Sequence, residues 1–191
     1  MLQLIKSHQL TPHAYADDTQ IYGFCRPSDV DGLVSRVSAC IDEVSAWMKA
    51  NRLQLNHAKT EVIWFSSTRR QHQIPNGSVR IGSTSVQPVV SVRDLGVHLD
   101  ADVTMTTHIT AAIRSCFAAL RQIRSVQRSL SRHAPLKLVS ALVVSTLDYC
   151  NAVQAGVAGN HLDRLQSVLN AAARLFFFGQ TTRTHNPIVY C

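Results

Sequence analysis

Two adjacent carboxylates, Asp17 and Asp18, close the run Tyr15-Ala16-Asp17-Asp18, with β-forming residues on either side. Leu10, Pro12 and His13 precede the run, and Thr19, Gln20, Ile21, Tyr22 and Phe24 follow it. A turn is the natural place for the pair, because aspartate is a favoured turn residue. At a hairpin tip the two acids meet water and present hard oxygen ligands, the kind that Mg²⁺ takes. Two such ions about 3.5–4 Å apart are the usual device for in-line phosphoryl transfer. An ordinary solvated turn requires nothing more than the same residues, so the rest of the chain has to choose.

A hairpin over residues 10–24 would hold the pair. Pro27 ends its second strand, and Ser28-x-x-Asp31 has the capping-box pattern that opens a helix. Val30, Leu33, Val34, Val37, Ile41, Val44, Trp47 and Met48 recur at helical spacing. A helix over about residues 29–50 therefore lays an apolar face on the sheet that carries the hairpin, with Trp47 in the core. Thr60 to Phe65 alternates as a strand, with Lys59 just before it. Residues 66–78, with Pro75 and Asn76-Gly77, read as an exposed loop. Short strands follow at about 79–82, 85–90 and 95–99.

From about residue 105 the pattern turns helical. Ile109, Ala112, Ile113, Cys116, Leu120 and Ile123 form one stripe, and Leu162, Leu165, Val168, Leu169, Ala172 and Leu175 form another. Residues 138–147 are apolar on nearly every side, as the central helix of a bundle would be. Strands first and helices second make the fold class α+β, with a boundary near residue 102.

Arg114, Arg121 and Arg128 are seven residues apart, and Arg124 lies three after one of them and four before another. They share a face if the helix runs that far. Between residues 103 and 137 these four, with Arg132 and Lys137, meet no acidic residue. Sequence-independent phosphate contact is one use of such a ridge; a solvated face is the other. The net charge of +7 and pI near 9.5 suit an acidic partner or simple solubility. Hydrophobic content of 46% with only 16% charged residues excludes a disordered chain. Cys25, Cys40, Cys116, Cys150 and Cys191 show no C-x-x-C spacing and read as reduced thiols of an intracellular protein. Lys6 and His8 break up the opening apolar residues, so these are no signal peptide. The stretch 138–147 is too short to span a bilayer.

Taken in order, the blocks resemble a known family. Tyr15-Ala16-Asp17-Asp18-Thr19-Gln20-Ile21-Tyr22, Trp47-Met48 with Asn51, Leu55-Asn56-His57-Ala58-Lys59-Thr60-Glu61, and Leu95-Gly96-Val97-His98-Leu99-Asp100 resemble the reverse transcriptases of non-LTR (LINE-type) retrotransposons. Ser145-Thr146-Leu147-Asp148-Tyr149-Cys150-Asn151 and Leu165-Gln166 through Asn170-Ala171-Ala172-Ala173-Arg174-Leu175 look like the same family's thumb. The resemblance covers about residues 10 to 178.

That resemblance implies a partial polymerase palm over 1–102, a hairpin with a packed helix and a small sheet, followed by a helical thumb over 103–191. It implies RNA-directed DNA synthesis from dNTPs with Mg²⁺, on an RNA template and a DNA primer, in the nucleus or cytoplasm. Asp17 would coordinate both ions and Asp18 would support them, with Tyr15 and Ala16 beside the primer terminus. Lys59 matches the position whose ammonium approaches the triphosphate as an electrostatic aid or proton donor. Leu95 and Gly96 match the hairpin that grips the primer, and Arg114, Arg121, Arg124 and Arg128 would meet the nucleic-acid backbone.

One departure bears on activity. A palm site takes a further carboxylate from a strand upstream of the hairpin, and residues 1–14 hold neither Asp nor Glu. The fingers would also precede Tyr15. Without the third acid the ions lose a bridging ligand, and without fingers nothing positions the incoming nucleotide. The expectation is a reverse transcriptase fragment, inactive as this chain. The alternative is a non-catalytic retroelement remnant that binds nucleic acid non-specifically through its basic helix. A third reading is an incomplete portion of a longer active enzyme.

Overall fold

The computed structural model describes residues 1–131, 133–149 and 157–181. The class is α+β, 57% helix to 17% strand, so helices carry most of the packing. Contacts divide the chain into two units, Met1–Val92 with Ala101–Val103, and Arg93–Asp100 with Thr104–Cys191. The strands form four two-stranded sheets, none of which joins another among the described residues.

In the first unit a short helix α1 (Leu2–Ser7) precedes the hairpin of β1 (Thr11–Tyr15) and β2 (Asp18–Tyr22). Nothing in the sequence pattern announced α1, yet its Ile5 is fully enclosed. Helix α2 (Val30–Ala50) supplies the face that the heptad-like spacing requires. Its Leu33, Cys40 and Val44 close on Ile5 and Leu10, with Ile21 of the hairpin packed alongside. Its Ile41 closes on Val79 and Ile81. Trp47 is half-buried on this stripe. Gly23 permits the approach: a Cβ there would lie 2.8 Å from the side chains of both Leu10 and Leu33.

Several local expectations change. The Ser28-x-x-Asp31 pattern makes no side-chain cap; a 3₁₀ turn, Pro27–Asp29, leads into α2, and Asp29 stands at the N-cap. The strand expected over 60–65 shrinks to β3 (Val62–Ile63), paired in parallel with β6 (Pro88–Val89). Proline lacks an N–H for a ladder, which keeps that pairing short. The loop at 66–78 contains a 3₁₀ segment, Thr68–Gln73. β4 (Val79–Ile81) and β5 (Thr84–Val86) form a hairpin. Arg80 on β4 grips Asp42 of α2 through two nitrogens at 2.7 and 3.2 Å. That hydrogen bonding holds the Asp42 carboxyl below its ordinary range despite some desolvation.

β7 (Ser91–Asp94) and β8 (Val97–Asp100) form a further hairpin, and the residues expected as strand at 95 and 96 are its turn. Leu95 and Gly96 both have positive φ, +45° and +87°, as a tight two-residue turn demands. Helix α3 (Thr106–Val126) is the centre of the second unit. Every residue of its expected stripe, Ile109 to Ile123, is buried, against Val139, Val143, Val168 and Ala172. Each large aliphatic side chain enclosed there contributes about 1.5–3 kcal/mol.

The segment at 138–147 is not the central helix. It runs as α4 (Ala134–Val139), a π-helical turn (Ser140–Val144) and α5 (Ser145–Asp148), burying Val139 and Val143 while Leu136, Leu142 and Val144 stay exposed. Helix α6 (Gly159–Thr181) packs Val168 and Ala172 on α3.

Candidate functional site

Asp17 and Asp18 lie at the end of the β1–β2 hairpin. Tyr15 pairs with Asp18, so the turn consists of Ala16 and Asp17 alone. Tyr15, Ala16, Asp17 and Asp18 are all exposed, which leaves four carboxylate oxygens free to meet a hard cation. Ala16 has φ +53°, in the left-handed region that glycine or asparagine normally fills. An alanine there costs about 1–2 kcal/mol. Such outliers persist where neighbouring structure fixes them, and they concentrate at functional sites. The structure thus gathers four of the expected residues at one tip.

Lys59 stands apart from that tip in sequence and element, exposed at the end of a 3₁₀ turn, His57–Lys59. Leu95 and Gly96 form the β7–β8 turn in the second unit. Tyr149 holds this turn: its hydroxyl donates to the Leu95 carbonyl at 2.5 Å, and its ring lies 3.4 Å from where a Gly96 Cβ would be. Cys150 and Asn151 of the same sequence block lie outside the described residues.

Arg114, Arg121 and Arg124 lie on α3, exposed and without a partner among the described residues. The helix ends at Val126, so Arg128 leaves the ridge and sits, also exposed, in a 3₁₀ turn, Gln127–Ser129. Lys137 is exposed on α4, and Arg132 lies outside the described residues.

Sequence reading missed a polar cluster at the start of α3. Asp100, almost fully buried, accepts a hydrogen bond from the Thr107 N–H at 3.0 Å. This carboxylate satisfies a free amide of the helix's first turn and complements its dipole. Next to Thr107, in the same first turn of α3, His108 is 6% exposed, and its Nδ1 faces the His98 N–H at 3.5 Å. Burial pushes the His108 imidazole below its ordinary range, His98 adds to the effect, and Asp100 opposes it. A histidine at 108 inside the apolar series 109, 112, 113 and 116 was the available signal.

Among the described residues no group of three or more His, Cys, Asp or Glu is placed to hold a metal, and no helix is long and apolar enough to cross a membrane. The Asp17–Asp18 donor set fits a hard cation in kind and falls short in number. No family model, no curated protein and no solved structure matches this chain.

Proposed function

We propose that this chain is a palm-and-thumb portion of a non-LTR retrotransposon reverse transcriptase, whose reaction joins dNTPs to a DNA primer on an RNA template. The observation that carries the reading is the Ala16–Asp17 turn, with its adjacent exposed carboxylates and a left-handed alanine beside them. Asp17 and Asp18 would hold Mg²⁺, which supplies activation of the primer 3′-hydroxyl and charge for the departing pyrophosphate. Tyr15 would pack beside the primer end, and Lys59 would balance charge on the triphosphate.

Two carboxylates without a third acid bind a pair of divalent ions weakly, so the chain alone is not expected to polymerise. The arginines of α3, exposed and without a partner among the described residues, favour a second reading, a non-catalytic remnant that holds nucleic acid by its backbone.

Paramagnetic Mn²⁺ separates these readings. In the presence of an RNA–DNA duplex, it should broaden the amide signals of residues 15–22 before those of other acidic segments. Asp17→Asn with Asp18→Asn should abolish that selectivity. Broadening spread evenly over all the carboxylates would leave residues 15–18 as a plain solvated turn. If the duplex still bound, only the second reading would survive.

A further inference from the structure

The second unit contains a cleft of 540 Å³ between the β7–β8 hairpin, α3 and α5. That volume suits a small molecule. Ala111 and Ala112 line it from α3, and their small side chains leave width for a flat ring. Arg93 lines it from β7, exposed and without a partner among the described residues.

The hydroxyls on the α5 side are already committed as donors. Thr146 donates to the Leu142 carbonyl at 2.9 Å, Ser145 to the Ala141 carbonyl, and Tyr149 to the Leu95 carbonyl at 2.5 Å. With their protons engaged, these oxygens offer lone pairs and so favour a ligand with N–H groups. They directly follow the π-helical turn Ser140–Val144, a type of irregularity frequent at functional sites.

His108 also lines the cleft and has the opposite need. Because its Nδ1 accepts from the His98 N–H, Nε2 carries the hydrogen of the neutral ring, and that enclosed Nε2 has no acceptor among the described residues. Native interiors rarely leave such a donor unmet. The cleft therefore calls for a planar ring with both N–H and acceptor atoms, joined to an anionic group for Arg93.

We propose that this cleft binds a single nucleotide, with its phosphate on Arg93 and its base against Ala111 and Ala112, between His108 and the α5 hydroxyls. Such a site would exist whether or not Asp17 and Asp18 hold metal. Guanidinium–phosphate pairing is the strongest contact available here, since the guanidinium fork matches phosphate oxygens.

The test is a titration of the full chain with CMP, followed by the NMR signals of the His98 and His108 rings. Cytidine, inorganic phosphate and an unpaired strand of about ten nucleotides, within the site sizes of strand-binding folds, serve as parallel arms. CMP should shift both rings saturably. Arg93→Gln should weaken binding about tenfold or more. Ala111→Leu, at an exposed helical position that tolerates leucine, should block the cleft while leaving the thermal midpoint in place. Unmoved rings at millimolar CMP would overturn the proposal, as would equal binding by Ala111→Leu. Phosphate alone reproducing the full shifts would reduce the site to an anion contact and overturn it. Shifts with the strand and none with CMP would assign the cleft to a polynucleotide instead.

Discussion

Replacing Arg114, Arg121 and Arg124 together by alanine removes from one helix three exposed charges that have no partner among the described residues. From Arg114 to Arg124 the helix rises about 15 Å. A duplex carries one charge per about 1.7 Å of its axis, so all three side chains can meet phosphates at once. Each contact contributes about 0.9 to the slope of log affinity against log salt. The triple variant should therefore lose about 2.7 units of slope. Between about 50 and 200 mM salt the parent's affinity should fall about 40-fold further than the variant's. Because the positions are exposed and alanine is the best helix former, stability should stay within about 0.5 kcal/mol. Fluorescence anisotropy of a labelled RNA–DNA duplex over a salt series measures the slopes, with thermal unfolding as the control. Parallel lines for the two proteins would refute the phosphate role and leave the ridge as a solvated face. Arg128, outside the helix, should act separately.

Three further outcomes are expected. Primer extension by this chain should be undetectable with Mg²⁺ or Mn²⁺; incorporation that Asp17→Ala abolishes would contradict the carboxylate count. Stability should fall with acid because of His108: burial holds its folded pKa below the ordinary histidine value of about 6.5, so the unfolded state gains the proton first. The loss should start as pH drops through about 6.5, at no more than about 1.4 kcal/mol per pH unit, and level off below the folded value. Chemical denaturation across this range should show a flatter dependence for His108→Asn, and an unchanged slope would refute the assignment. Asp100→Ala should destabilise the second unit by about 1–2 kcal/mol through loss of the α3 cap, with Asp100→Asn recovering much of it, as read by unfolding midpoints.

The long amphipathic helices were legible because one residue type at one spacing settles which face is inside. Ile109 to Ile123 on α3 and Leu33 to Val44 on α2 show it. The hairpin around Asp17 was legible for a related reason: β-formers flank a turn-forming pair. Residues 138–147 misled because their apolar character says only that they prefer burial. How much of that face α3 and α6 can cover depends on partners far away in sequence, and Leu136, Leu142 and Val144 stay uncovered. The 3₁₀ entry to α2 displaced a capping pattern that local sequence alone favoured. Helix α1 was invisible because six residues are too few to show a period. The His98–His108–Asp100 cluster was hidden for another reason: His98 and Asp100 lie on β8 and His108 on α3, and only the β8-to-α3 connection brings them together.

Because each sheet has two strands, every described strand is an edge strand. For β1 and β2 this leaves an outer margin on each, broken on β1 by Pro12, that runs up to the Asp17–Asp18 tip. A strand added on either side would lie about 4.8 Å away, with its side chains in step with those beside it. An acid on such a strand, placed level with Asp18, would come within range of a shared ion. If Asp17 and Asp18 hold metal as proposed, a separate polypeptide could add a further carboxylate beside them by sheet extension. Pro12 on β1, which lacks an N–H, and the charge of Asp18 on β2 blunt these margins against edge-to-edge pairing of two copies.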